Sequence, residues 1–175
     1  VFLTGAPQLD ELVNGHYIPA QELAERFNLD LKKPIILATY HPVTEEFSSV
    51  ADHMRETLEA VAAVGHQTVL IFPNNDAGSG DVRRLIERYH RPFIRIERNL
   101  PRKQYVGLMH VASAMVGNSS GGLIEAPCFR LPAVNIGTRQ RDRFRGNNVI
   151  DVPNDRQRIR AAIEKAISKE FREFL

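Results

Sequence analysis

The side chains best suited to chemistry in this sequence stand in short polar loops, each directly after an apolar stretch. His41 begins the first such loop, Asn74 lies in the second, and the paired Ser119 and Ser120 lie in the third. Imidazole, amide and hydroxyl groups all donate hydrogen bonds, and phosphate oxygens accept them. The arrangement predicts a site for an anionic ligand that is assembled from several loops.

The most informative loop runs from Gly117 to Pro127 and follows its two serines with two glycines, Gly121 and Gly122. We expect it to open a short helix after a buried strand, so that main-chain N–H groups, both hydroxyls and the helix dipole favour a diphosphate. Glu125 follows roughly one and a half turns later and can accept hydrogen bonds from the two hydroxyls of a ribose. The alternative is that Glu125 only complements the positive end of the helix.

His41 and Gly78 each allow two interpretations. Pro42 keeps His41 out of helical geometry at the end of a strand, where the ring either meets a ligand or bonds to the backbone of a turn. Thr44 can cap the helix that follows. The loop around Gly78 lets N–H groups converge on an anion, but it also fits a tight turn with a helix cap, and its spacing is not that of a Walker A loop.

The longest loop, Gly137–Asn148, is rich in arginine. Arg139 stands nearest the preceding apolar stretch, and we expect it to reach inward to a phosphate or a base. A run of charge is more often a solvated loop, and we therefore interpret Arg141, Arg143 and Arg145 as surface residues or partner contacts.

These loops must be positioned by a sheet, because short apolar stretches alternate with windows of helical period. This order predicts an α/β fold: a Rossmann-like, doubly wound parallel sheet with ligands at the carboxyl ends of its strands. Asn154 or Asp155 caps a last helix, with apolar residues at 159, 163, 167, 171 and 174. The opening Val1–Gly5 also reads as a strand, already under way. The expected strands are Ile35–Tyr40, Val69–Phe72, Phe93–Ile96, Ala114–Gly117, Ala133–Ile136 and Asn148–Val152.

Composition narrows the class of protein. A formal net charge of +2 does not mark a nucleic-acid or membrane-surface binder. The single cysteine, Cys128, excludes an internal disulfide and is expected to be a buried structural thiol. The histidines lack metal-ligand spacing, so no metal site is expected. No apolar run approaches the ~20 residues of a membrane helix and no signal peptide opens the chain, so we expect a cytoplasmic protein.

Four of these loops occur in an order that resembles one enzyme family. They are His41–Thr44, Pro73–Ser79, Gly117–Glu125 and Asn135–Gln140, and the opening Thr4–Asp10 resembles the family's stretch at a domain junction. Over nearly its whole length the chain is similar to the C-terminal half of the hydrolysing UDP-N-acetylglucosamine 2-epimerases. The resemblance implies that residues 1–175 are one Rossmann-like domain, the second of a GT-B architecture, with the N-terminal domain missing.

The resemblance also implies roles for individual residues. His41 would contact the diphosphate near the chemistry and is the one catalytic candidate. Ser119 and Ser120 would bind phosphate, Glu125 the ribose, and Arg139 would complete the uridine site.

Four further positions complete the implied site. Asn74 would help to hold the nucleotide, Asp76 matches a family position near the site, and Gly78 and Gly121 are possible contributors. The residues after His41 favour the hydrolysing branch, whereas Gly121 and Gly122 are closer to the wider superfamily.

The implied reaction converts UDP-N-acetylglucosamine into N-acetylmannosamine and UDP, by elimination of UDP and hydration of a glycal, and feeds sialic-acid synthesis. It needs no cofactor. The family's acid and base carboxylates lie mainly in the N-terminal domain, so we expect this chain to bind UDP without turnover. Two other interpretations stay open: the nucleotide domain of a GT-B glycosyltransferase, and a non-catalytic UDP-sugar-binding domain. The sugar could also be a 2,4-diacetamido relative.

The C-terminal helix, residues 154–175, bears on partners. In this architecture such a helix commonly crosses back to the first domain, and Phe171, Phe174 and Leu175 fit that contact. The alternative is ordinary packing on the sheet. An apolar patch left exposed here would favour a homo-oligomer.

Overall fold

Six parallel strands form one sheet in the order β3-β2-β1-β4-β5-β6. The computed structural model describes residues 2, 5–74 and 78–175. Each strand lies within about two residues of its predicted position, which confirms the doubly wound α/β fold. The strands are β1 Ile35–Thr39, β2 Gln67–Ile71, β3 Ile94–Glu97, β4 Ala114–Gly117, β5 Ala133–Ile136 and β6 Val149–Val152.

Helices cover both faces of the sheet, which explains why the strands are apolar on both sides. Leu37 of β1 packs into the cluster under one set of helices, whereas Ile36 and Ala38 pack into the cluster under the other. The first set comprises α2 Ala20–Phe27 and α5 Arg102–Val111, and the second comprises α3 Val50–Val64, α4 Ser79–Arg88 and α7 Arg156–Ile167. The shorter helices are α1 Asp10–Val13, α6 Gly121–Ile124 and α8 Lys169–Phe174, with 3-10 turns at Pro7–Leu9, Thr44–Ser49 and Ala126–Phe129. No described helix is long and apolar enough to cross a membrane.

The strand order places a topological switch point between β1 and β4. Strand β1 pairs with β2 on one side and with β4 on the other, so the connections from β1 and β4 leave in opposite directions. A crevice opens between such connections at the carboxyl edge of the sheet. The loops that begin at His41 and Asn118 therefore flank this crevice.

The prediction of one continuous last helix is wrong. Asp155 caps α7, as one of the two predicted caps, and its carboxylate accepts a hydrogen bond from the Arg158 main-chain N–H at 2.9 Å. The helix then ends, because Ser168 adopts extended backbone angles. The Ser168 hydroxyl accepts a hydrogen bond from the N–H of Phe171 and so caps the start of α8. The strand predicted over Val1–Gly5 falls largely on Val1, Leu3 and Thr4, which lie outside the described residues.

Two local predictions are also wrong. Thr44 makes no side-chain cap: it is the first residue of a 3-10 turn that separates β1 from α3, and Val43 precedes it in extended geometry. Cys128 is exposed rather than buried. The 3-10 turn around it buries Ala126 against the core and leaves Cys128 on the outside.

Replacing Gly117 by alanine is expected to destabilise the fold. A Cβ at this position would lie 1.7 Å from the Thr39 carbonyl oxygen, and its φ of +137° is one that L residues rarely adopt. We expect the free energy of unfolding to fall by at least about 2 kcal/mol, measured by urea denaturation. Gly80→Ala is the matched control, because its nearest neighbour would be the Arg84 guanidinium at 3.9 Å. Equal stability of the two variants would contradict this account.

Candidate functional site

A cleft of about 580 Å³ lies at the carboxyl edge of the sheet, between the loops that follow β1, β2, β3 and β4. It brings together six residues that the sequence singled out, although they are far apart in the chain. These are His41, Asn74, Ser119, Ser120, Gly121 and Glu125. The cleft is also lined by Arg83, Arg98 and Tyr105, which sequence reasoning missed.

Asn118 fixes the backbone of His41. Its side-chain oxygen accepts a hydrogen bond from the His41 N–H at 2.7 Å, and its amide group donates to the His41 carbonyl at 2.8 Å. The N–H of Asn118 itself donates to the Thr39 carbonyl at 3.3 Å. Because only 1% of Asn118 is exposed, both loops at the switch point are held by an amide shielded from competing water.

The imidazole of His41 is oriented by the loop after β2. The main-chain N–H of Asn74 donates to Nδ1 of His41 at 3.2 Å, so Nδ1 acts as the acceptor and Nε2 carries the proton. The ring also lines the cleft. His41 therefore contacts the backbone of a neighbouring loop, as one of its two interpretations predicts, while its ring borders the cleft.

The serine loop is shorter than a helical anion site requires. Helix α6 spans only Gly121–Ile124, and the Ser119 hydroxyl accepts a hydrogen bond from the Gly121 N–H at 3.3 Å. The predicted dipole contribution is therefore small, and the hydroxyls of Ser119 and Ser120 are the main donors that this loop offers to the cleft. Ser119 also hydrogen-bonds Tyr105.

Tyr105 remains a neutral hydroxyl in the floor of this cleft. Burial raises the pKa of Tyr105 to about 12, and the hydrogen bond with Ser119 and the charge of Arg102 only partly offset the effect of burial and of nearby Glu125. The phenol therefore keeps its proton throughout the neutral range. It can donate a hydrogen bond without adding negative charge beside a bound anion.

Glu125 ends the short helix instead of lying inside a longer one. It follows Ile124 as the C-terminal flanking residue of α6, and it is 9% exposed. Its carboxylate forms an ion pair with the guanidinium of Arg102. A Cβ at Gly121 would lie 2.8 Å from Oε2 of Glu125, so glycine leaves the space that this carboxylate occupies.

Arg139 and Gly78 are not brought into the cleft with the other predicted residues. Arg139 lines a separate depression between the loops after β1 and β5, and its guanidinium donates to the carbonyl of Asn118 at 3.1 Å. Gly78 precedes α4 at a φ of +88°, and a Cβ there would lie 3.5 Å from Pro42. Asp76 lies outside the described residues.

The arginine-rich loop is partly structural. Arg141 and Arg143 are exposed, as predicted, and Arg145 keeps a partly exposed surface position in addition to its structural contacts. Arg145 is half-buried, and it donates to the Asp151 carboxylate at 2.6 Å and to the Gln140 carbonyl at 3.0 Å. It therefore fastens the loop to β6.

Residues 2, 5–74 and 78–175 contain no candidate metal centre. No group of three or more His, Cys, Asp or Glu side chains in these ranges could hold an ion. The donors that the cleft offers are imidazole, hydroxyl, amide and guanidinium groups, which suit an anion.

Comparisons with known proteins identify the family of the chain. The family profile described as "UDP-N-acetylglucosamine 2-epimerase" matches residues 1–174. A curated relative, the UDP-N,N'-diacetylbacillosamine 2-epimerase (hydrolyzing) of Legionella pneumophila, is 35% identical over 170 residues. That match covers 97% of this chain but 45% of the relative, so the chain spans about half the length of the curated relatives it matches.

Solved structures show the same fold. The UDP-GlcNAc 2-epimerase of Neisseria meningitidis, crystallised with UDP-GlcNAc, superposes with a TM-score of 0.68 at 16% identity and covers 87% of this chain and 42% of its own. The glycosyltransferase WaaG of lipopolysaccharide biosynthesis superposes with a TM-score of 0.57 at 11% identity, covering 90% and 45%. At these identities the likeness concerns the fold, and it places the chain among GT-B epimerase and glycosyltransferase domains.

Replacing Asn118 by alanine is expected to lower stability, because the N–H and carbonyl of His41 both lose their partner. We expect the free energy of unfolding to fall by about 1–3 kcal/mol, measured by urea denaturation. Asn147→Ala is the control: Asn147 is exposed in a loop, and we expect a change within about 0.5 kcal/mol. An Asn118 variant as stable as the parent chain would refute the role of this amide.

Proposed function

The chain belongs to the UDP-N-acetylglucosamine 2-epimerase family, and from this premise we propose that its cleft binds the UDP part of a nucleotide sugar. The observation that carries the proposal is the convergence of His41, Ser119, Ser120 and Glu125 on one cleft at the switch point. A diphosphate needs several donors on one side, and a ribose needs an acceptor at a short distance from them. This cleft offers both.

The diphosphate would lie between the serine loop and the His41 ring. Both serine hydroxyls and the ring Nε2–H can donate to phosphate oxygens, and a hydrogen bond to a charged group contributes about 1.5–3 kcal/mol. Asn74 supports this arrangement, since its N–H holds Nδ1 of the ring. Asn74 also lines the cleft and would contact the nucleotide there.

The ribose would lie against Glu125. A carboxylate accepts hydrogen bonds from two neighbouring hydroxyls, which matches the 2′ and 3′ positions of a ribose. Arg139 would act indirectly at this site, through the Asn118 carbonyl that it contacts, since it lines the neighbouring depression.

In the whole enzyme the reaction would proceed in two steps. A base removes the proton at C2 of the sugar while the bond between C1 and the UDP oxygen breaks, which gives a glycal and UDP. Water then adds, with hydroxide to C1 and a proton to C2 from the opposite face. The Nε2–H of His41 would donate to the departing diphosphate as negative charge develops on it.

The carboxylates for these proton transfers would come from a further N-terminal domain. The chain's curated relative is about twice as long, which supports a partner domain across the cleft. Exposed aromatic residues support the same arrangement: Phe47 is 57% exposed after β1, and Phe144 is 92% exposed after β5. Phe174 of α8 is 66% exposed, which favours the contact with a further domain over ordinary packing of this ring on the sheet.

A 2,4-diacetamido sugar is the second candidate substrate. The relative that is 35% identical is named for UDP-N,N'-diacetylbacillosamine, which favours this sugar over N-acetylglucosamine. Both substrates carry the same UDP group, so the cleft described here serves either.

Titration calorimetry of UDP into the chain tests the proposal, with uridine as the ligand control. We expect a Kd of roughly 10 μM to 1 mM for UDP and much weaker binding of uridine. Ser120→Ala should weaken UDP binding by about tenfold or more, because a hydroxyl donor to phosphate is lost. The exposed Ser48 provides the matched control, Ser48→Ala. Equal affinities for UDP and uridine would contradict a diphosphate site.

Turnover assays test the need for a second domain. The chain alone should release no UDP from UDP-N-acetylglucosamine or from UDP-N,N'-diacetylbacillosamine, if the acid and base carboxylates come from a further domain as proposed. Addition of an N-terminal domain from a family member should restore release, and the preferred sugar identifies the substrate. Steady release of UDP by the chain alone would refute the proposed need for a second domain. Release that requires a sugar acceptor would instead indicate a glycosyltransferase.

A further inference from the structure

We propose that Arg102 is a positioning residue that holds the Glu125 carboxylate for the ribose and ties it to the N-terminal segment, residues 7–27. The proposal rests on the proposed function, since it concerns how the same cleft recognises UDP. Arg102 begins α5 and is not one of the described residues that line the cleft. Its effect on a ligand would therefore pass through Glu125.

The contact between Arg102 and Glu125 gives the two carboxylate oxygens different surroundings. The guanidinium binds Oε1, whereas Oε2 lies on the side of Gly121, where a Cβ would come within 2.8 Å of it. Burying a carboxylate is costly unless it is paired, and Glu125 is 9% exposed. The pair therefore allows a charged acceptor at the edge of the cleft and leaves Oε2 to the ligand.

The same guanidinium also contacts the N-terminal segment, and the Nη2 that pairs with Glu125 takes part in this contact. Nε of Arg102 lies 3.7 Å from Oε2 of Glu11, and Nη2 donates to the Gln8 carbonyl at 3.3 Å. One side chain thus joins a carboxylate of the site to a carboxylate of the segment. Both negative charges favour the same position of the guanidinium.

The segment is docked firmly on α5. The N–H of Ile18 donates to the Lys103 carbonyl at 3.2 Å, and a Cβ at Gly107 would lie 2.7 Å from the Ile18 carbonyl oxygen. Tyr17 packs against His110 of α5, with ring centroids 5.0 Å apart. A displacement of the segment would therefore move Arg102 with it, and Glu125 would lose its fixed position.

The preference for a ribose over a 2′-deoxyribose is the measurement that tests whether Arg102 positions Glu125. Only the 2′-hydroxyl distinguishes UDP from 2′-deoxyuridine diphosphate, so the ratio of their Kd values reports on the contact proposed between Glu125 and the 2′-hydroxyl. A general loss of structure would weaken both ligands together. A direct contact between Arg102 and the diphosphate would also weaken both, because both carry the same phosphates.

The experiment measures both Kd values by calorimetry for the chain and for Arg102→Gln. We expect the chain to prefer UDP by about tenfold or more, and Arg102→Gln to reduce that preference to within about threefold. Arg102→Lys should recover part of it, since lysine supplies the charge without the guanidinium fork. Glu11→Gln should lower the preference in the same direction, although Glu11 lies outside the cleft.

Matched variants control for the loss of charge. Arg160→Gln removes an Arg–Glu pair on α7, where Nε lies 2.8 Å from Glu164, and Asp10→Asn removes a carboxylate one residue from Glu11. Both should keep the parent preference. Hydrogen exchange supplies a readout without ligand: the amides of residues 121–125 should exchange faster in both Arg102→Gln and Glu11→Gln.

The outcomes separate this proposal from the proposed function. If the parent chain prefers UDP and Arg102→Gln prefers it equally, Arg102 has no positioning role and the nucleotide site stands. If Arg102→Gln weakens both ligands by the same factor, Arg102 contacts the phosphates or supports the fold, and the proposal is wrong. If the parent chain binds neither ligand, the proposed function fails and this inference fails with it.

Discussion

Strands β1 and β4 approach each other so closely at their carboxyl ends that only a glycine fits beside the Thr39 carbonyl. The next residue, Asn118, then bonds to both the N–H and the carbonyl of His41, and its own carbonyl accepts from Arg139 and, at 2.7 Å, from Gln140. Three loops therefore meet at one buried residue. These hydrogen bonds join the loops of the candidate site at the switch point of the sheet.

Much of this architecture was predictable because its causes are local. Strands buried on both faces must be apolar throughout, and β1, β2, β4 and β5 stood out for that reason. Parallel strands present their following loops at one edge, so residue types such as His41 and Ser119 could be assigned to one site from their order alone. The choice of ligand needed the family resemblance, because an imidazole and two hydroxyls suit many anions.

The missed features depend on partners distant in sequence or on short turns. Nothing in the local sequence pairs Arg102 with Glu125, and nothing in the loop that contains Asn118 indicates its hydrogen bonds to His41. Helix α2 escaped notice because its few buried residues stand among charged ones. The break at Ser168 was missed because the apolar spacing continues across it, although the backbone does not.

The wrongly predicted cysteine gives the molecule an unexpected property. Cys128 is the only thiol in the sequence, and it lies on the surface in the turn that follows Glu125, where its N–H donates to the Glu125 carbonyl at 3.0 Å. A fluorophore attached by maleimide would label one position without any prior mutagenesis. The protein thus carries its own attachment point for an optical probe, joined through one main-chain hydrogen bond to the residue proposed to read the sugar of the nucleotide.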